Sequence, residues 1–228
     1  MITPNDIDYK ETKAIINGQK STSQKIEELK KWIEKQYGNG VLHIVQDYLD
    51  TLNKPRLNVV LENYEDVDEF RDKNTNYDSL KQSSISEKFE ELNDGIKSNK
   101  KSFFKNLFKT PKDKYFVCFS AFNPIAKSEI LDKIPDKILS DFKKRNTTKK
   151  IWEIHDSSFG VIVFLYKESD IEEYKNSTEI EKLKNDFYKT IQPFDKKGYF
   201  ELEKLHIGID SKENFDNNYE SNWYYYYK

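Results

Sequence analysis

A pattern that occurs three times constrains the fold of this chain more than any other feature. Each copy is a short apolar run followed by an acidic cluster that contains two spaced hydrophobic residues. Apolar runs of this kind predict strands, and acidic residues suit the first turn of a helix, where the helix dipole favours negative charge. Each copy therefore predicts a strand that turns into a short helix. The strand and cluster ranges are 57–61 with 65–70, 161–165 with 169–174, and 205–209 with 213–219.

Two interpretations of this repeat remain open. Val67 and Phe70 lie three residues apart, as do Ile171 and Tyr174, which places each pair on one helix face. Three independent strand-to-helix turns that obey the same capping rules would produce the pattern, and so would duplicated βα units. The first two copies begin 104 residues apart, which is too far for a solenoid repeat.

Composition predicts a folded protein of the cytoplasm. With 228 residues and 36% hydrophobic residues, the chain can bury a sizeable core, and 14% aromatic residues argue against disorder. The net charge of −2 predicts neither a nucleic-acid nor a membrane partner. The single cysteine, Cys118, excludes an internal disulfide and suits a reducing compartment. Neither a signal peptide nor a run of ~20 apolar residues is visible.

Helix and strand patterns alternate along the chain and predict an α+β fold, with α/β as the alternative. We expect a mixed, largely antiparallel sheet of about five to seven strands with helices packed on it. One domain, 1–228, is the preferred organisation, and two lobes, 1–80 and 115–228, joined by a helical, lysine-rich linker are the alternative. The expected strands are 41–45, 56–61, 115–122, 151–154, 159–166 and 202–209, and the clearest helices are 23–37, 127–145 and 178–191.

Catalytic signatures are sparse in the sequence. His155 and Asp156 could form a general-base dyad, but neighbours on a strand point to opposite faces. His43 and His206 lie in separate strand-like runs, and Cys118 has the apolar neighbours of a buried structural thiol. No close set of histidine or cysteine ligands and no phosphate-binding glycine loop occurs, so we expect no metal and no cofactor. The sequence therefore favours a non-enzymatic role.

A basic amphipathic helix is predicted over residues 97–109. Phe104 and Phe108 have helical spacing, and the basic surface consists of Lys100, Lys101, Lys105 and Lys109. The aromatic face is expected to pack on the strand at 115–122, with the lysines in water. An anionic membrane, RNA or an acidic protein would be the partner if that face were exposed instead.

The C-terminus, from Asn222 to Lys228, carries five consecutive aromatic residues after an acidic stretch. An edge strand that buries alternate rings is the simpler interpretation of this pattern. Tyrosine and tryptophan are also typical of interface hot spots, so direct contact with a partner is the alternative. Negative charge beside aromatic rings suits a basic protein partner and would repel phosphates. The predicted partner-binding residues are Asp216, Glu220, Trp223, Tyr224 and Tyr226.

These observations favour a protein-binding protein, such as an inhibitor or immunity-type protein whose acidic and aromatic surface covers a basic partner. The lysine-, asparagine- and tyrosine-rich composition is typical of AT-rich bacterial genomes. One alternative is an enzyme acting on nucleic acid or phosphate esters, with His155 and Asp156 as acid and base and the lysine-rich helix holding phosphates. A second is peripheral membrane attachment through residues 97–109. The sequence leaves the oligomeric state open.

Overall fold

A computed structural model describes residues 3–94, 115–157 and 160–228. The basic helix predicted at 97–109, with Lys100, Lys101, Lys105 and Lys109, lies outside the described residues, so its packing stays a prediction. The chain divides into two compact units, residues 1–125 and 126–228. Among the described helices, none is both long and apolar enough to cross a membrane.

Unit 1 contains a three-stranded sheet with helices packed against it. The strand order is β1-β2-β3, in which β1 and β2 are antiparallel and β2 and β3 are parallel. In chain order the elements are α1 (Ile7–Ile16), α2 (Gln24–Tyr37), β1 (Val41–Leu49), β2 (Lys54–Leu61), α3 (Tyr64–Asp68), α4 (Ser79–Asp94), β3 (Phe116–Ala121) and the first residues of α5 (Asn123–Leu131), with a 3-10 turn at Asp50–Leu52.

Unit 2 repeats this plan. Its strands follow the order β4-β5-β6, with β4 and β5 antiparallel and β5 and β6 parallel. After the rest of α5, the elements are α6 (Asp136–Asn146), β4 (Ile151–Ser157), β5 (Gly160–Leu165), α7 (Ile171–Lys175), α8 (Thr178–Ile191), β6 (Gly208–Ser211), α9 (Lys212–Tyr219) and α10 (Trp223–Tyr226), with a 3-10 turn at Glu168–Asp170.

The two sheets share their register as well as their topology. Each first strand has an irregularity beside its first residue, and an offset of 104 residues converts the numbering of β2 into that of β5. This is the offset between the first two copies of the sequence pattern, so those copies occupy equivalent places in two similar units. The central residues pair on both sides in the same way, Asn58 with Val45 and Cys118, and Ile162 with His155 and Gly208.

Alternation along the central strands places each apolar core on one face of its sheet. In unit 1, Leu57, Val59 and Leu61 are buried in one cluster with residues of α2 and α4. In unit 2, Val163 and Leu165 are buried in one cluster with residues of α6 and α8. Successive side chains of a strand point to opposite faces, so Arg56 and Asn58 in β2, and Ile162 and Phe164 in β5, lie on the other face. Arg56 of unit 1 and the aromatic residues that hold the C-terminal segment of unit 2 lie on these second faces.

Helix boundaries follow local capping chemistry in part. Helix α2 matches its prediction: the Ser23 side chain accepts from the Ile26 N–H, and Gly38 ends the helix in the left-handed conformation. Ser84 and Glu87 have the spacing of a capping box, which predicts a helix start at Ser84, but α4 begins at Ser79 and continues through both residues. The Asp78 side chain accepts from the N–H groups of Leu80 and Lys81, so a different local cap begins the helix upstream.

The structure confirms the predicted α+β class, but it does not contain the single sheet that the sequence predicts. The six described strands form two three-stranded sheets rather than one sheet of about five to seven strands, and each sheet has one parallel pair. The last strand is also shorter than the predicted 202–209, since β6 begins at Gly208. Residues 202–207 carry the apolar side chains of a strand but lack a neighbouring strand to complete their hydrogen bonds.

Candidate functional site

The C-terminal segment forms the short helix α10 on the second face of the unit 2 sheet. The Asn222 side chain accepts from the Tyr224 N–H at 2.9 Å and so begins this helix. Trp223 stacks on His155, with ring centroids 4.1 Å apart, and packs on Phe215 at 4.2 Å. The edge strand considered for this segment is therefore wrong. The segment is helical, and its inward rings stack on aromatic residues of unit 2.

The structure divides the predicted partner-binding residues into inward and outward groups. Trp223 and Tyr226 are half-buried, and the Tyr226 hydroxyl donates to Asp210 at 2.7 Å. Tyr224 is 67% exposed on the opposite side of α10, beside Tyr225 at 46%. One group fixes the helix to unit 2, and the other presents tyrosine rings to solvent.

The two predicted acidic contacts also differ in surroundings. Asp216 forms an ion pair with Lys212 and accepts the Ser221 hydroxyl at 2.7 Å. These hydrogen bonds lower the pKa of Asp216. Glu220 is exposed and has the left-handed backbone conformation that ends α9, with φ of 53°. Of the two carboxylates, Glu220 is the one that remains open to a partner.

His155 and Asp156, the residues of the alternative dyad, hydrogen-bond different partners. The Tyr227 hydroxyl hydrogen-bonds His155 Nδ1 at 2.7 Å, while Asp156 forms an ion pair with Lys143 of α6. Partial burial raises the pKa of Asp156, but the Lys143 hydrogen bond and charge outweigh it and the pKa is lowered. Strand alternation directs the two side chains to different neighbours, as the sequence pattern indicates.

A cavity of about 960 Å³ opens beside this histidine and lies entirely within unit 2. It brings His155 and Asp156 together with His206, whereas His43 lies in unit 1. Two further carboxylates line it: Asp132 follows α5 directly, and Asp136 is the first residue of α6. The apolar part of the wall is formed by Leu131, Ile134, Leu139, Val161, Ile162 and Phe187, and the wall is completed by Gly160, Gly208 and Tyr227.

The charge of this cavity is negative. Lys143 compensates Asp156, but no described lysine or arginine lies within 4.0 Å of Asp132 or Asp136, and none of the lining residues is a cation. Both aspartates are exposed to solvent at the cavity mouth. The cavity therefore offers two uncompensated carboxylates above an apolar wall. Sequence reasoning missed Asp132 and Asp136, because nothing in their local pattern separates them from the many other surface acids.

Unit 1 has a polar cluster on its equivalent sheet face. Arg56 of β2 donates to Asp8 of α1 at 3.1 Å and to Asp47 of β1 at 2.5 Å, and Ser120 donates to Asn58 at 3.1 Å. Burial raises the pKa of Asp8, and the Arg56 charge opposes that shift without cancelling it. Asp8, Arg56, Asn58 and Ser120 line a cavity of about 550 Å³.

Cys118 lies next to this cluster, and its environment makes the thiol a poor nucleophile. Burial raises the pKa of its thiol to about 12, so almost none of it is thiolate at neutral pH. The structural role predicted for this cysteine agrees with that environment. In the described part of the chain, no group of three or more histidine, cysteine or carboxylate residues is arranged to hold a metal ion.

Comparisons of this chain with protein-family models, with curated proteins and with solved structures found no match. The functional argument therefore rests on the geometry of the two units alone.

Proposed function

We propose that this chain is a protein-binding protein that uses the C-terminal surface of unit 2 to bind a basic protein, in the manner of an inhibitor or immunity protein. The observation that carries the proposal is the two-sided packing of α10. Trp223 and Tyr226 hold the helix in place, so Tyr224 and Tyr225 are presented in a fixed orientation. A rigid aromatic surface loses little conformational entropy on binding and is typical of interface hot spots.

The charge around α10 supports a basic partner. Partial burial of the Tyr227 hydroxyl raises its pKa, and the nearby negative charges of Asp156 and Glu153 raise it further. Glu220 adds an exposed carboxylate three residues before the first residue of α10. Such a surface attracts a positively charged protein and repels phosphate groups.

The proposal is tested by comparing the partners captured by two exposed-tyrosine variants. Tyr224→Ala together with Tyr225→Ala removes outward rings and leaves Trp223 and Tyr226 in place. Tyr166→Ala is the matched control, because Tyr166 is also an exposed tyrosine of unit 2, at 49%, but lies outside α10. Affinity purification from the native cell, quantified by mass spectrometry, should lose a basic protein with the double variant only. Identical partner lists from both variants would refute the proposal.

A second candidate function, hydrolysis of a phosphate ester or nucleic acid, is favoured by one observation: His155 and His206 line the same cavity as Asp156. The charge of that cavity opposes it, since Asp132 and Asp136 are uncompensated and would repel a phosphate. Phosphodiesterase activity on a chromogenic diester that is lost in His206→Ala would favour the enzyme. Attachment to a membrane through 97–109 stays a prediction outside the described residues.

A further inference from the structure

The four consecutive tyrosines of the C-terminal segment differ in the surroundings of their hydroxyl groups. Tyr224 and Tyr225 are 67% and 46% exposed, and among the described residues neither hydroxyl has a hydrogen-bond partner. Tyr226 is half-buried, and its hydroxyl donates to a carboxylate of β6. Tyr227 is 48% exposed, and its hydroxyl lies 2.7 Å from Nδ1 of His155. Within this run, only Tyr227 combines an exposed ring with contact to a nitrogen base.

The hydrogen bond to His155 affects how easily the Tyr227 ring is oxidised. Loss of one electron makes a phenol strongly acidic, so oxidation is easier when a base accepts the proton in the same step. Imidazole is a stronger base than a carboxylate, and its Nδ1 accepts from the phenol when the neutral ring carries its proton on Nε2. Partial burial raises the pKa of Tyr227, which therefore holds its proton at neutral pH and needs this acceptor.

Nearly parallel rings extend from Tyr227 along the second face of unit 2. The centroids of Tyr227 and Trp223 lie 6.2 Å apart with ring planes 22° apart, and those of Trp223 and Trp152 lie 6.1 Å apart with planes 5° apart. Rings this close exchange electrons readily, so Tyr227 can reduce either indole after it has been oxidised. The ammonium group of Lys212 lies 5.3 Å from the Trp152 centroid and disfavours a lasting positive charge on that ring. Oxidation of either indole therefore ends at Tyr227, where a base accepts the proton.

We propose that Tyr227 is an oxidation site at which a one-electron oxidant, of the peroxide-activated haem class, joins two copies of this chain through dityrosine. The oxidant takes an electron from the ring of Tyr227, directly or through Trp223, and the phenolic proton passes to Nδ1 of His155. These two transfers leave a neutral tyrosyl radical beside an imidazolium group. The inference is independent of the proposed function, because it requires no basic partner.

Two such radicals, one on each copy, complete the reaction. A carbon–carbon bond forms between the two ring carbons that lie next to the phenolic carbons. The hydrogen on each of these carbons then moves to the oxygen of its own ring, which restores two phenols. In total, two tyrosines give one dityrosine, two protons and two electrons. Two equivalents of the oxidant take up the electrons, and the two imidazolium groups release the protons to water.

The test oxidises the full chain with photogenerated tris(bipyridine)ruthenium(III), which removes single electrons from aromatic rings. Dityrosine fluorescence and the amount of covalent dimer measure the yield at neutral pH. Tyr227→Phe removes only the phenolic oxygen, and most of the dimer should be lost. Tyr225→Phe is the matched control, because Tyr225 has nearly the same exposure but no base at its hydroxyl, so most of the dimer should remain.

The role of His155 as proton acceptor is tested separately by substitution and by pH. His155→Phe keeps an aromatic ring beside Trp223 and removes the base, so adding Tyr227→Phe or Tyr225→Phe to it should cost equal amounts of dimer. In the unsubstituted chain, the preference for Tyr227 over Tyr225 should disappear well above pH ~10, where tyrosines lose their protons without a neighbouring base. A histidine that only positioned the Tyr227 ring would leave this preference independent of pH.

Three results would overturn the inference. The first is an equal loss of dimer from Tyr227→Phe and Tyr225→Phe at neutral pH, which would show that exposure alone selects the site. The second is a preference for Tyr227 that survives in His155→Phe, and the third is one that persists above the pH at which tyrosines ionise.

Discussion

Replacing Trp223 with alanine tests whether α10 is fixed to unit 2. The indole stacks on His155 and Phe215 and meets Phe164 edge-on at 5.2 Å. Truncation of a large buried aromatic ring costs about 3–5 kcal/mol, and the low end applies here because Trp223 is only half-buried. We therefore expect the free energy of unfolding to fall by about 3 kcal/mol. For a unit of about 100 residues this corresponds to a Tm about 12 °C lower.

Urea and thermal unfolding followed by circular dichroism measure this change, and Trp152 fluorescence reports it within unit 2. Tyr224→Ala is the matched control: the residue is on the same helix but 67% exposed, so the expected change is within ~0.5 kcal/mol. An unchanged Tm for Trp223→Ala, or equal losses for both variants, would refute the docking of α10. The rigid presentation of Tyr224 and Tyr225 would then have no structural basis.

Two further predictions concern the sheets. Gly208→Ala should lower the free energy of unfolding by about 1–3 kcal/mol, because an added Cβ would lie 2.9 Å from Ile162 Cγ1. Gly40→Ala is the control, because its added Cβ would meet nothing within 4 Å. Equal free energies of unfolding for the two variants, measured in urea, would contradict this prediction. His43 is buried, and its Nδ1 has no hydrogen-bond partner among the described atoms. Burial lowers its pKa against the opposing charge of Glu11, so the unfolded chain binds the extra proton first as the pH falls. The contribution of His43 to the free energy of unfolding should be fully present above pH ~6.5 and should be lost as the pH falls below it. In urea unfolding at a series of pH values, His43→Gln should make this decrease with falling pH smaller. The same pH dependence in both proteins would show that His43 does not cause the decrease.

Local chemistry explains why much of the secondary structure could be predicted. The end of α2 follows from Gly38, which alone accepts the left-handed conformation without a Cβ penalty. The antiparallel pairing of β4 with β5 follows from two strand-like runs that lie close together in the sequence. The pattern at 57–70 and 161–174 also indicated the equivalent βα elements of the two units, because strand burial and helix-start charge both act over a few neighbouring residues.

The candidate site could be predicted only in part. The sequence singled out His155 and Asp156 and indicated that strand alternation separates their side chains, but it could not name their partners, Tyr227 and Lys143, which are 72 and 13 residues away. Asp132 and Asp136 have no distinguishing sequence pattern, and only folding places them in the same cavity as Gly160.

By itself, the sequence determined the α+β class, the main helices and strands, and the aromatic character of the C-terminus. Only the tertiary structure decided that the strands form two sheets of the same register, that α10 packs its inward rings on unit 2, and that His155, Asp156 and His206 line one cavity. The physical reason is the range of the interactions. Propensity and capping depend on residues within one or two turns, whereas strand pairing, ring stacking and charge compensation depend on residues that only folding brings together.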